Sequence, residues 1–241
     1  MTWTPPWTSQ PIGAATGVCS PKTRHAVDPL PLTPTQCSVF PTAAKIGQGS
    51  FATVFDHAYD HDKVVKFTAD HTDARAAYAL KGKNLKGAVR VYEVAELVGV
   101  HPHKTIYGIV AERVSPVRDK IGREAIHAVD AFLSEENYNR NYEGNPIIPG
   151  RDFDLGPRIR DRAVVSCLNG GFADGACDIV PELIEAVEEV GKAGVFTPDL
   201  HSDNWGERPD GFTILDFGVS KLDPDLPRTV NRLAGMRRRR R

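Results

Sequence analysis

Little in this sequence points to a metal cluster, a disulfide scaffold or a membrane. Its 241 residues include only four cysteines, Cys19, Cys37, Cys167 and Cys177, and no two of them stand in a C-x-x-C pair. Zinc sites and redox pairs commonly use that spacing, so neither is expected. A chain this long buries a core without covalent staples, and the expectation is reduced thiols in a cytosolic compartment. No apolar run approaches the roughly 18 residues of a membrane span, so no membrane partner is expected. The N-terminus has no basic stretch followed by an apolar one, and no secretory leader is expected. Neither sign of charge is in excess: 30 Lys and Arg face 31 Asp and Glu, a formal net charge of −1. No global field therefore draws the chain to nucleic acid or a lipid surface. Internal repeats are absent. What remains is a globular composition, 41% hydrophobic and 25% charged, sized for one domain or two small lobes.

The texture changes along the chain. Residues 1–41 carry eight of the 18 prolines and three formal charges, Lys22, Arg24 and Asp28. They read as an extended arm, either a disordered leader or a docking arm anchored by Trp3 and Trp7. Residues 42–114 form a first lobe. Apolar and β-branched runs at Thr53–Phe55, Lys63–Phe67, Ala88–Val94 and Thr105–Val110 predict one antiparallel sheet. Thr72 is the expected N-cap of a helix from Asp73 to Leu80, closed by Gly82. Residues 115–222 form a second, mainly helical lobe. Arg118–Leu133 predicts a helix, and Asn137–Pro157, rich in Asn, Gly and Pro, predicts an insert or long loop. A further helix is expected to be capped by Asp178, with Pro181 in its first turn, and to end at Gly191 and Gly194. Arg208-Pro209-Asp210-Gly211 has turn chemistry and predicts a hairpin between Trp205–Glu207 and Phe212–Leu215. Residues 223–241 are a basic tail ending in Arg237–Arg241. The tail is either a solvated terminus or a salt-sensitive contact with nucleic acid or an acidic surface.

Three segments carry candidate chemistry. In Gly47-Gln48-Gly49-Ser50-Phe51-Ala52-Thr53-Val54, two glycines one residue apart let backbone N–H groups approach phosphate oxygens. A strand follows them instead of a helix, which disfavours dinucleotide binding. In Val64-Val65-Lys66-Phe67, a lysine within an apolar strand must send its ammonium to a polar partner. In Asp199-Leu200-His201-Ser202-Asp203-Asn204, followed by Asp216-Phe217-Gly218, a carboxylate, a carboxamide and a second carboxylate recur across an apolar hairpin. Those groups suit proton abstraction from a hydroxyl and Mg²⁺ held on phosphates. Each segment alone is an ordinary turn or loop; their order along one chain is what distinguishes them.

From Lys45 to Lys221 the chain resembles the protein-kinase-like superfamily, including small-molecule kinases of the aminoglycoside-phosphotransferase type. The run Asp199-Leu200-His201-Ser202-Asp203-Asn204-Trp205-Gly206 is similar to that of short kinase-like proteins of bacteria and their phages. The resemblance implies an α+β, two-lobed fold with an antiparallel-sheet N-lobe and a truncated, mainly helical C-lobe. It implies an ATP- and Mg-dependent phosphotransferase acting on a hydroxyl of a small molecule or protein, in bacterial cytoplasm or associated with a virion. Gly47, Gly49 and Ser50 would cover the phosphates, Val54 would join them in binding the nucleotide, and Lys66 would bridge the α- and β-phosphates. Ala111–Val114, with Glu112 and Val114, would be the hinge that reads adenine. Asp199 would be the catalytic base, and Asn204 and Asp216 would bind Mg²⁺.

The chain departs from that pattern in four places. Thr197-Pro198 stands where protein kinases have His-Arg before the aspartate, so regulation by a phosphorylated loop is not expected. His201 replaces a lysine, as in the small-molecule kinases. The helix after Lys66 contains no glutamate, leaving Asp73, then Asp70, as the acid to orient Lys66. Only 23 residues follow Gly218, which leaves no room for the usual peptide platform. The alternative is a kinase-like binding or structural protein without turnover, such as a phage virion or host-interaction component.

Overall fold

The computed structural model describes residues 40–97, 105–142, 149–150, 153–218 and 220–223, with backbone alone at 135–142 and 174. The proline-rich arm up to residue 39, with Trp3, Trp7, Cys19 and Cys37, and the Arg237–Arg241 tail lie outside the described residues. The fold is α+β, with one five-stranded antiparallel sheet, two smaller sheets and four α-helices among the described residues. None of those helices is long and apolar enough to cross a membrane. The chain forms two compact units, one of residues 40–82 and 91–113, the other of 83–90 and 114–223.

In the first unit, β1 (Thr42–Gln48), β2 (Ala52–His57), β3 (Lys63–Thr68), β4 (Val91–Leu97) and β5 (Ile106–Glu112) pair in the order β1-β2-β3-β5-β4. Side chains alternate across a strand, so Val65 and Phe67 face one way and Lys66 the other. Val65 and Phe67 join Phe40, Phe55, Ile106 and Val110 in a core on the first face. Helix α1 (His71–Leu80) packs on β3, β4 and β5 through Ala74, Ala76, Ala77 and Leu80. Its N-cap is Asp70 and not Thr72: the Asp70 carboxylate accepts the Thr72 N–H at 2.8 Å. Asp and Thr are both capping residues, and here the carboxylate also accepts the Thr72 hydroxyl, which makes it the better acceptor.

The run Ala88–Val94 does not form one strand. Only Val91 onward joins the five-stranded sheet, while Ala88 makes a parallel bridge to Ile214 in the second unit. Gly87 and Val89 complete that bridge, exchanging backbone hydrogen bonds of 3.0 and 2.9 Å with Ile214.

The second unit contains β6 (Ser115–Pro116), α2 (Lys120–Tyr142), α3 (Gly156–Asn169), α4 (Asp174–Lys192), β7 (Val195–Phe196), β8 (Trp205–Arg208), β9 (Gly211–Ile214) and β10 (Lys221–Leu222). Three expectations are corrected here. Of the segment Asn137–Pro157, expected as an insert or long loop, residues 137–142 belong instead to α2 and Gly156-Pro157 to the start of α3, where proline occupies the first turn, while residues 143–148 and 151–152 lie outside the described residues. Helix α4 begins at Asp174, and Asp178 and Pro181 lie inside it. Ala176, Cys177, Val180, Leu183, Ile184 and Val187 are all buried, so the apolar stripe extends one turn and more ahead of the proline. Gly191 does not end the helix; it makes room for the Phe153 ring. Cys167 of α3 and Cys177 of α4 form a buried disulfide, against the expectation of reduced thiols.

The hairpin is as expected. Arg208 pairs with Gly211 across a Pro209-Asp210 turn, and Gly211 takes φ of 128°, a conformation open to glycine.

Candidate functional site

The glycine segment forms the β1–β2 hairpin tip. Gly49 N–H donates to the Ala52 carbonyl at 2.9 Å, and Ser50 is exposed at the turn. Neither Gly47 nor Gly49 has a positive φ. A Cβ on Gly49 would meet nothing within 4 Å, and one on Gly47 only the Val54 Cβ at 3.8 Å. The fold itself therefore does not require glycine at these two positions.

Cross-strand register sets Gly47 opposite Val54, Val54 opposite Lys66 and Lys66 opposite Ile109. Residues opposed across a sheet share a face, so Val54 and Lys66 line the surface on which α1 sits. There the Lys66 ammonium meets the Asp73 carboxylate at 2.8 Å, with side-chain exposures of 11% and 3%. Asp73, the nearer of the two candidate acids, is the partner, and Asp70 caps α1. Ala76 and Ala77, three and four residues after Asp73 and so on its side of α1, are buried, and short side chains flank the pair there. Glu112 ends β5, and the chain passes from the first unit to the second between Arg113 and Val114.

The second unit holds the remaining candidates. Residues 197–204 and 215–218 run beside each other, joined by backbone and side-chain hydrogen bonds. The Leu215 N–H donates to the Asn204 carbonyl at 2.8 Å. The Thr197 hydroxyl donates to the Gly218 carbonyl at 3.3 Å and accepts the Asp199 N–H at 3.4 Å. Buried Thr197, at a point of departure from the kinase pattern, thus ties the two loops together. Asn204 is buried, and its Nδ2 donates to the Asp199 carbonyl at 2.9 Å. With that nitrogen committed, the atom Asn204 has to offer a cation is Oδ1. Asp216 Oδ1 accepts the Gly218 N–H at 3.0 Å. Trp205, fully buried, donates its indole N–H to the Leu200 carbonyl at 3.0 Å and anchors the loop from behind. Asp199 is half exposed, with His201 Nε2 3.5 Å from its Oδ1.

A carboxamide and a carboxylate are hard oxygen donors, and Mg²⁺ is commonly held by one or two protein oxygens plus phosphates and water. The donor set of Asn204 and Asp216 fits that requirement. No group of three or more His, Cys, Asp or Glu side chains capable of holding a metal gathers among the described residues.

Sequence reading missed Asp130 on α2. Its carboxylate accepts the Leu200 N–H and sits near Asp199, His201 and His127. Burial pushes its pKa up, the Leu200 N–H works against that rise, and the Asp199 charge adds to it. The available signal was a lone carboxylate beside the buried run of Ala125, Ile126, Val129 and Phe132. Arg123 was missed as well: it donates to the Ser202 hydroxyl at 3.2 Å and lies 3.7 Å from Asp203.

No protein-family model matches this chain, and no curated protein matches it either.

Proposed function

We propose that this chain is an ATP- and Mg²⁺-dependent phosphotransferase with a two-lobed, protein-kinase-like fold, acting on a hydroxyl acceptor. The observation that carries this reading is the buried Lys66–Asp73 pair, whose lysine stands in one cross-strand row with Gly47 and Val54. Burying an ion pair costs desolvation that an apolar pair would avoid, so stability alone does not account for it. An ammonium held on the same sheet face as a row leading to two glycines the fold does not demand is accounted for by phosphate binding. That an aspartate reaches Lys66 also removes one ground for reading the chain as inactive.

In this reading Gly47, Gly49 and Ser50 bring backbone N–H groups to the phosphates. Lys66, oriented by Asp73, neutralises the α- and β-phosphates. Glu112 and Val114 flank the backbone that binds adenine. Asn204 through Oδ1 and Asp216 through its carboxylate hold Mg²⁺, which when bound offsets phosphate charge. Asp199 orients the acceptor hydroxyl and takes its proton. The acceptor O–P bond forms, the bond from the γ-phosphorus to the bridging oxygen breaks, and its electron pair leaves with ADP.

Incubation of the purified full chain with Mg²⁺-ATP, followed by ADP and intact-mass measurement, tests the reading. ATP turnover or added phosphate is expected, falling about 100-fold or more in Asp199→Ala and Asp216→Ala, whose melting temperatures stay near the parent's. Full activity in both variants would end the proposal. Absence of turnover together with no melting shift in millimolar Mg²⁺-ATP would favour a kinase-like protein that does not turn over.

A further inference from the structure

The second unit contains an open cavity of about 420 Å³, a volume suited to a small molecule. Arg118, Lys120, Arg123, His127 and His201 line it, with Glu124 and Ser202 as its other polar groups. Counting fixed charges, three cations face one carboxylate, and that carboxylate, Glu124, lies 3.4 Å from Lys120. Asp203, mostly exposed, offsets Arg123 in part from 3.7 Å. The whole chain has a net charge of −1, so this concentration of cations is local and does not reflect a basic protein. Two guanidinium groups suit carboxylate or phosphate oxygens, which they bind in a fork.

One wall of the cavity is the loop that carries Asp199. His201 and Ser202 stand two and three residues after Asp199 in the chain, and His201 Nε2 is 3.5 Å from Asp199 Oδ1. We infer that this cavity is the acceptor site, and that the acceptor is a small hydroxyl-bearing anion whose phosphate or carboxylate is held by Arg118 and Arg123. The inference rests on the phosphotransferase reading. Anchoring the charged end of such a molecule keeps its hydroxyl beside Asp199, and proximity of that kind lowers the barrier to transfer. Ser202 and Glu124 offer partners for further hydroxyls. The cations converge on one concavity and do not run along a face, an arrangement for a compact anion more than for an extended acidic chain.

The test is nucleotide-free calorimetry on the full chain with glycerol 3-phosphate, glycerate and, as the neutral control, glycerol. One or both anions should bind and glycerol should not; their order tells phosphate from carboxylate. In Arg118→Ala/Arg123→Ala the Kd should rise by about tenfold or more, since charged hydrogen bonds are lost. The melting shift with Mg²⁺-ATP should persist. Exposed Arg118→Gln alone serves if the double variant does not fold, with a smaller rise expected. No binding of either anion at millimolar concentration, or equal affinity in the variants, would overturn the inference. Binding of polyglutamate without either small anion would overturn it too, marking a protein-docking surface. A missing Mg²⁺-ATP shift in the parent would instead sink the phosphotransferase reading, while the anion titration would still stand.

Discussion

Lys66 keeps a charge in a place where water scarcely reaches, and the Asp73 carboxylate meets it there at 2.8 Å. Asp73→Ala removes the buried carboxylate that Lys66 meets and should destabilise the chain by about 3 to 5 kcal/mol in urea unfolding. Lys66→Met/Asp73→Leu should recover most of the loss, because neither residue then buries a charge. A cost below about 1 kcal/mol for Asp73→Ala would mean that the pair relaxes into solvent. Asp130 makes a different claim. Burial raises its pKa, so the folded state binds the proton more tightly than the unfolded chain. The stability this brings is present below the ordinary carboxyl value of 3.8 and is lost as pH rises through the folded-state value. Asp130→Asn cannot ionise, and as pH rises above the ordinary carboxyl value of 3.8 its unfolding midpoint should decline less than the parent's. Identical pH slopes would refute this assignment. At this scale the sequence was informative where a residue type was unusual for its place, as with Lys66 in an apolar strand. It was silent about Thr197, since nothing local distinguishes a hydroxyl that bridges two loops from one that faces water.

Elements were legible in proportion to their local signals. The β8–β9 hairpin followed from turn chemistry, and β2 and β3 from β-branched alternation. Helix α3 escaped because only Ile159, Ala163 and Cys167 of its residues are buried, a narrow stripe amid three arginines and an aspartate. The start of α4 was misplaced because proline normally marks a first turn. Interior proline costs a helix about 3 kcal/mol, and the burial of Ala176, Cys177 and Val180 offsets that cost. The disulfide between α3 and α4 acts on the same turn, since it anchors Cys177 four residues before Pro181. It closes a loop with a sequence separation of 10. Chain-entropy reasoning puts its contribution at about 2.5 kcal/mol. Cys167→Ala/Cys177→Ala should lower the urea midpoint accordingly, and reducing agent should lower the parent's midpoint but not the variant's. Insensitivity of the parent to reductant would show that the bond contributes nothing in solution.

For the whole molecule, composition and the order of elements pointed to α+β with an antiparallel sheet, and that class is what the chain adopts. That residues 83–90 belong to the second unit was not legible in the sequence, because their partners lie on α4 and the β8–β9 hairpin, far along the chain. The proposed catalytic set is likewise distributed: Gly47, Gly49 and Lys66 belong to the first unit, and Asp199, Asn204 and Asp216 to the second. Variants in either unit should therefore impair transfer without a common effect on stability: Asp73→Ala, which deprives Lys66 of its orienting acid, by loosening its own unit, and Asp216→Ala with little change in melting.

The excursion of residues 83–90 has a consequence for how the protein is made. Arg208 accounts for the backbone carbonyls of Leu85 and Ala88, and it lies 123 residues after Leu85 in the chain. At typical rates of synthesis, a nascent chain waits on the order of 10 s between exposing that segment and supplying its partner. During that interval a strip with unmatched amides and carbonyls hangs from an already translated sheet. The ribosome's pace, and any chaperone that shields a short extended peptide, thereby become part of this protein's folding route.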